Sequence, residues 1–137
     1  MMSTFRLLAA TLIAVALMLS PTPARAGSYL ERAALLLEAS RAERDSAKSH
    51  PRDRDLLELI HAVAKARNDA ARGMQVPKAI EGAHPHLLLV LENTERAFAA
   101  ALDGHLEKFV EFIERARTED RTFRALVTKL GYTLPPV

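Results

Sequence analysis

Pro85-His86-Leu87-Leu88-Leu89-Val90-Leu91-Glu92-Asn93-Thr94-Glu95-Arg96-Ala97-Phe98-Ala99-Ala100-Ala101-Leu102 is the stretch that decides the fold. Proline opens it, where a missing N–H costs nothing in a first helical turn. Leu, Ala, Glu and Arg dominate the rest, and all four favour helix. Residues 87–91 are apolar on every side, which predicts the most deeply buried helix of the chain. β-branched residues are few elsewhere, and no stretch alternates apolar with polar for long, so no strand competes.

Helical patterns flank it on both sides. Residues 28–48 predict a first helix, with Ser28 and Glu31 spaced as a capping box and Leu30, Ala33, Ala34 and Leu37 as its apolar stripe. Past Ser40 only Ala42 and Ala47 are apolar, so that end is expected to project from the core or fray. A second helix is expected over 51–72, with Pro51 in the first turn, Asp53 and Asp55 favourable near its N-terminus, and Leu56, Ile60, Val63 and Ala70 facing inward. Gly73 ends it. Residues 74–83 read as a linker holding one helical turn at 77–81.

On the C-terminal side, Asp103-Gly104 reads as a break before a helix over 105–117, carrying Leu106, Phe109, Val110, Ile113 and Ala116. The competing reading keeps Gly104 inside one long helix, at about 1 kcal/mol relative to Ala. Thr118-Glu119-Asp120 resembles a fresh cap, so a short helix is expected over 119–130 with Phe123, Leu126, Val127 and Leu130 inward. Gly131 stops it, and Leu134-Pro135-Pro136-Val137 cannot be helical. Short turns place sequence neighbours side by side. The expected fold class is all-α: a small antiparallel, up-and-down helical bundle of four main helices plus a short C-terminal one. Residues 95–117 are similar to a single tetratricopeptide hairpin, through Ala97-Phe98 and Leu102-Asp103-Gly104-His105. No second copy follows, and a solenoid needs about three, so no repeat family is assigned.

Residues 1–26 read as a cleavable signal peptide. Arg6 precedes an uncharged run over 7–19 in which Thr11 is the only polar residue, Ser20-Pro21-Thr22-Pro23 breaks any helix, and Ala24-Arg25-Ala26 offers the small-x-small pattern for cleavage before Gly27. The run is shorter than the roughly 20 residues needed to span a bilayer. The product is therefore expected in the periplasm or secreted, with no stable membrane anchor after cleavage, and residues 27–137 form one all-helical domain. Arg6 and Arg25 would leave with the leader, so the whole chain's 19 basic and 17 acidic residues become 17 and 17. A neutral chain argues against a nucleic-acid partner, which asks for a basic stripe. The chain has no Cys. That excludes a lipidated cysteine, haem attached through C-x-x-C-H, a thiol nucleophile and a thiolate zinc site; packing must hold the fold unaided.

Five histidines are candidate ligands: His50, His61, His84, His86 and His105. His84 and His86 stand two apart, a spacing that diverges on a helix, and His84 reads as a turn or cap residue. Glu58 and His61 have the Glu-x-x-His spacing of di-iron bundles. The second copy, Glu81 with His84, crosses Gly82 and abuts Pro85, so it is not expected to converge with the first. His61 reads as a boundary residue, and His105 as bonded to a nearby turn carbonyl. No G-x-S-x-G elbow and no glycine-rich phosphate loop is present. The charge-dense segment 41–55 reads as a solvated hairpin tip, or as a polar docking surface.

These readings converge on a small exported protein of the bacterial envelope that is not an enzyme and needs no cofactor. It would act as a binding, adaptor or chaperone-like accessory protein, with another envelope protein as partner or as a homodimer through the leucine run. The alternative is a periplasmic metal- or haem-binding bundle using histidines.

Overall fold

The computed structural model describes residues 23–137, so most of the expected leader, 1–22, lies outside the described residues. Four helices account for the described chain: α1 (Pro23–Ser49), α2 (Arg54–Arg72), α3 (His84–Leu102) and α4 (Leu106–Lys129), with a short 3-10 turn at Lys78–Ile80 between α2 and α3. No strand occurs among the described residues. The helix α3 built on the leucine run packs against all three others.

Two apolar clusters fill the interior. One joins Tyr29, Leu30, Ala33 and Leu37 of α1 to Ile80, to Leu87 and Val90 of α3, and to Phe123 and Val127 of α4; Tyr132 and Leu134 of the tail pack against it. The other joins Ala47 of α1, Leu57, Ile60 and Ala64 of α2, Ala97 and Phe98 of α3, and Phe109 and Ile113 of α4. Leu87, Val90 and Leu91 are thus buried within the chain, whereas Leu89 faces outward.

Several local expectations are corrected. α1 does not start at Ser28. It starts at Pro23, so Ser28 and Glu31 lie inside the helix, where a capping box has no free amides to satisfy. The expected cleavage residues Ala24, Ala26 and Gly27 fall in the first turns of α1, with Ala26 packed against Tyr29's cluster. Nor does α1 fray after Ser40. Leu30, Ala33, Leu37, Ser40, Arg44 and Ala47 are all buried, at alternating spacings of three and four residues. One face therefore stays inward to the end of the helix.

α2 begins at Arg54 rather than Pro51, because Asp53 accepts a hydrogen bond from Leu56 N at 3.1 Å and makes itself the N-cap. Its inward face is Leu57, Ile60, Ala64, Asn68 and Ala71. Leu56 is only partly buried and Val63 is 38 % exposed. Adjacent leucines allow either stripe. The observed one puts Ala64 in the cluster with Ala97 and Phe98 of α3 and lets Asn68 Nδ2 donate to Glu95 Oε2 at 2.8 Å, while Arg67 holds Glu43 of α1 with two hydrogen bonds of 2.5 and 2.7 Å.

Gly104 does break the helix, taking φ +77 between α3 and α4, a conformation that costs residues with a Cβ. The two C-terminal helices expected at 105–117 and 119–130 are one. Phe109, Ile113, Ala116, Asp120, Phe123 and Val127 are its buried residues, again alternating four and three. The inward stripe runs unbroken through Thr118-Glu119-Asp120, so no cap forms there. Leu106, Val110 and Leu130, expected inward, are exposed.

Candidate functional site

Three helices carry buried polar residues that meet one another. On α1 these are Ser40 and Arg44; on α3, Thr94; on α4, Asp120. All four are buried, and Arg44 is only 2 % exposed. They form a polar layer in the interior. Arg44 Nη1 donates to Ser40 Oγ at 2.8 Å and to Thr94 Oγ1 at 2.9 Å. The Thr94 hydroxyl spends its proton on Val90 O at 2.7 Å. Ser40 Oγ, 3.0 Å from Thr94 Oγ1, must then be the donor in that pair, since Thr94 has no second proton to give. Both Nη1 protons and both hydroxyl protons are thereby used.

The rest of the guanidinium is less well served. Arg44 Nη2 lies 3.9 Å from Asp120 Oδ2, within ion-pair range but beyond a hydrogen bond. Asp120 turns its other oxygen to Arg124 Nε at 2.6 Å. Burial pulls the Arg44 pKa below its ordinary value, and the Asp120 carboxylate pushes it back up. A guanidinium remains protonated through that contest.

Arg44 also forms part of the wall of an open cleft of about 570 Å³ between α1 and α4. Arg41, Arg44 and Lys48 line it from α1; Arg117, Arg121 and Arg124 line it from α4. Each set is spaced three and four residues apart, so each forms a stripe on one helix face. Three acidic residues, Glu38, Asp45 and Asp120, share the cleft with these six cations, and Ala42 and Ile113 are its only apolar residues. Some of the cations are already engaged: Arg41 Nη2 donates to Glu38 Oε1 at 2.7 Å, and Arg117 Nη1 to Glu114 Oε1 at 3.1 Å. Among the described residues Arg121 reaches the Thr118 hydroxyl of its own helix, at 3.1 Å, and no carboxylate within ion-pair distance. An excess of positive charge therefore faces across the cleft.

The histidines do not assemble. His84 Nδ1 lies 2.8 Å from Tyr29 Oη on α1, with the two rings edge to face. Burial raises the Tyr29 pKa and lowers that of His84, so a protonated phenol donating to a neutral ring satisfies both. His86 turns the other way, its Nδ1 2.6 Å from Glu119 Oε2 of α4. Glu58 is held by Arg54 at 2.8 Å on the exposed face of α2, and His61 is partly buried. His105 is the N-cap position of α4, but its side chain makes no capping hydrogen bond. His50, at the end of α1, has its Nδ1 3.3 Å from Ser46 O of its own helix. Among the described residues, no group of three His, Asp or Glu side chains stands close enough to hold a metal ion, and no helix is long and apolar enough to cross a membrane.

Arg44 was hidden in the charge-dense segment by its residue type, not by its position. Counting threes and fours on from Leu37 lands on Ser40, Arg44 and Ala47. With the geometry in hand, no protein-family model, curated protein or solved structure matches this chain.

Proposed function

We propose that this is an exported, non-enzymatic helical binding protein of the bacterial envelope, an antiparallel bundle whose α1–α4 cleft receives an anionic group of its partner. The observation that carries the reading is Arg44, buried at 2 % exposure yet short of a hydrogen bond to Asp120, the carboxylate within ion-pair distance, and opening on a cleft with cations on both walls. A positive groove with low-dielectric walls concentrates oppositely charged ligands, and arginine forks suit oxyanions. The Ala24-Arg25-Ala26 pattern ahead of Gly27 supports export, and envelope proteins are the partners within its reach. No nucleophile and base stand together at this site to suggest chemistry on what is bound.

The test is capture from the protein's own envelope with the wild-type chain and with Arg117→Glu/Arg121→Glu. A partner held by the first, lost from the second and released by salt supports the reading. Equal capture by both overturns it. N-terminal sequencing of the recovered protein should begin at Gly27; a product that keeps Met1 and stays in the cytoplasm would remove the export half of the proposal.

A further inference from the structure

The geometry points to a phosphoryl group, carried by a soluble phosphomonoester, as the anion the α1–α4 cleft recognises; this rests on the cleft being the binding surface, as proposed above. Two stripes of three cations face each other across an open cleft of about 570 Å³. Bringing like charges together on opposing walls is unfavourable, and the three acidic residues of the lining, with Glu114 on Arg117, leave two of the six positive charges uncompensated. A carboxylate already stands at the deep end. Asp120 satisfies Arg124 at 2.6 Å and still leaves Arg44 Nη2 3.9 Å away, so one more single charge would leave the walls in excess. A phosphomonoester brings about two negative charges and three terminal oxygens. Arg44 Nη2, Arg121 and Arg124 each have guanidinium donors to offer one oxygen, in the fork geometry that phosphate accepts.

Arg44 is prepared for the role. Ser40 and Thr94 fix its Nη1 end at 2.8 and 2.9 Å, so little side-chain freedom remains to be lost on binding. A lipid headgroup is disfavoured as the source, because Ala42 and the buried Ile113 are the only apolar residues among the cleft's eleven, and the rest carry charges.

The experiment is isothermal titration of the protein recovered from cells expressing the full chain, with phenyl phosphate, inorganic phosphate, glutarate and phosphatidate vesicles as separate probes. Phenyl phosphate and phosphate should bind saturably, with glutarate about tenfold weaker, the loss of roughly one charge-assisted contact. Arg121→Gln, at the exposed mouth, should weaken phenyl phosphate about tenfold while its thermal melt matches the parent. Arg44→Met should abolish binding if it folds; Arg121→Gln keeps the test decisive if it does not. Glutarate binding as tightly as phenyl phosphate, and equally sensitive to Arg121→Gln, would overturn the phosphoryl assignment and leave the cleft reading standing. Binding to phosphatidate vesicles alone would overturn the soluble source. No saturable binding of any probe, together with envelope capture indifferent to charge reversal, would remove both proposals.

Discussion

Arg44 Nη2 and Asp120 Oδ2 lie 3.9 Å apart at the deep end of the cleft between α1 and α4. The two residues are unequally provided for. Asp120 keeps Arg124 as a close partner at 2.6 Å, whereas Arg44 has no other carboxylate within ion-pair distance among the described residues. Breaking a buried pair costs most when it strands the survivor.

That inequality predicts an ordering of variants. Asp120→Ala leaves a buried guanidinium without its carboxylate and should cost up to about 3–5 kcal/mol. Arg44→Met removes the buried charge, fills similar volume and leaves Asp120 paired, so it should cost less. Chemical denaturation of both decides the matter; Asp120→Ala proving the milder change would mean the carboxylate does not compensate Arg44.

The aromatic anchors of α4 should act independently. Phe109 and Phe123 belong to different apolar clusters and stand fourteen residues apart, about 21 Å along the helix. Phe109→Leu and Phe123→Leu should each cost about 1–2 kcal/mol, and the double variant should equal their sum within about 0.5 kcal/mol. A clear excess would show that the polar layer transmits packing strain instead of separating two cores.

His84 makes stability depend on pH with a definite sign. Burial holds its pKa below the ordinary value, so the unfolded chain takes up a proton before the folded one does. Its contribution is whole above the unfolded value of about 6.5 and is lost as pH falls below that, down to the lowered folded value. The urea midpoint should therefore drop more between pH 7.5 and 5.5 for the wild type than for His84→Asn, with those two pH values chosen to sit about one unit either side of the unfolded pKa. Parallel shifts in the two proteins would show that His84 is not the group responsible.

Gly104 and Gly82 should respond oppositely to alanine. Gly104 has φ +77 with open space around a would-be Cβ, so the penalty of Gly104→Ala is conformational, about 1 kcal/mol. Gly82 has neither a positive φ nor a close neighbour, and Gly82→Ala should be neutral or stabilising by about 0.4–1 kcal/mol. Thermal melts of the two variants check this; equal losses would mean that Gly104 is not held in the left-handed region.

Helix content and the positions of most turns were legible because they rest on local chemistry: propensity, proline, glycine and the three-and-four spacing of apolar residues. Where polar residues carry part of that spacing, an apolar pattern alone misplaces the inward face. The cap pattern at Thr118-Glu119-Asp120 suggests a break in α4, and the polar run after Ser40 suggests a fading α1 stripe, yet Asp120, Ser40 and Arg44 all hold inward positions. In α2, adjacent Leu56 and Leu57 offered two stripes of equal local merit. Contact with α3 and the Glu43–Arg67 pair across 24 residues favour the one observed.

By itself, then, the chain's order of residues determined an all-helical architecture, since helix content depends on interactions within a turn or two of backbone; between a break at Gly104 and one continuous helix it allowed both, and the structure decides for the break. Only the tertiary structure decided that Arg44 is interior. Its hydroxyl partner Thr94 is 50 residues away and its carboxylate lies on a different helix again. A cation is buried where distant groups offset its desolvation, and that compensation comes into being only when α1, α3 and α4 meet.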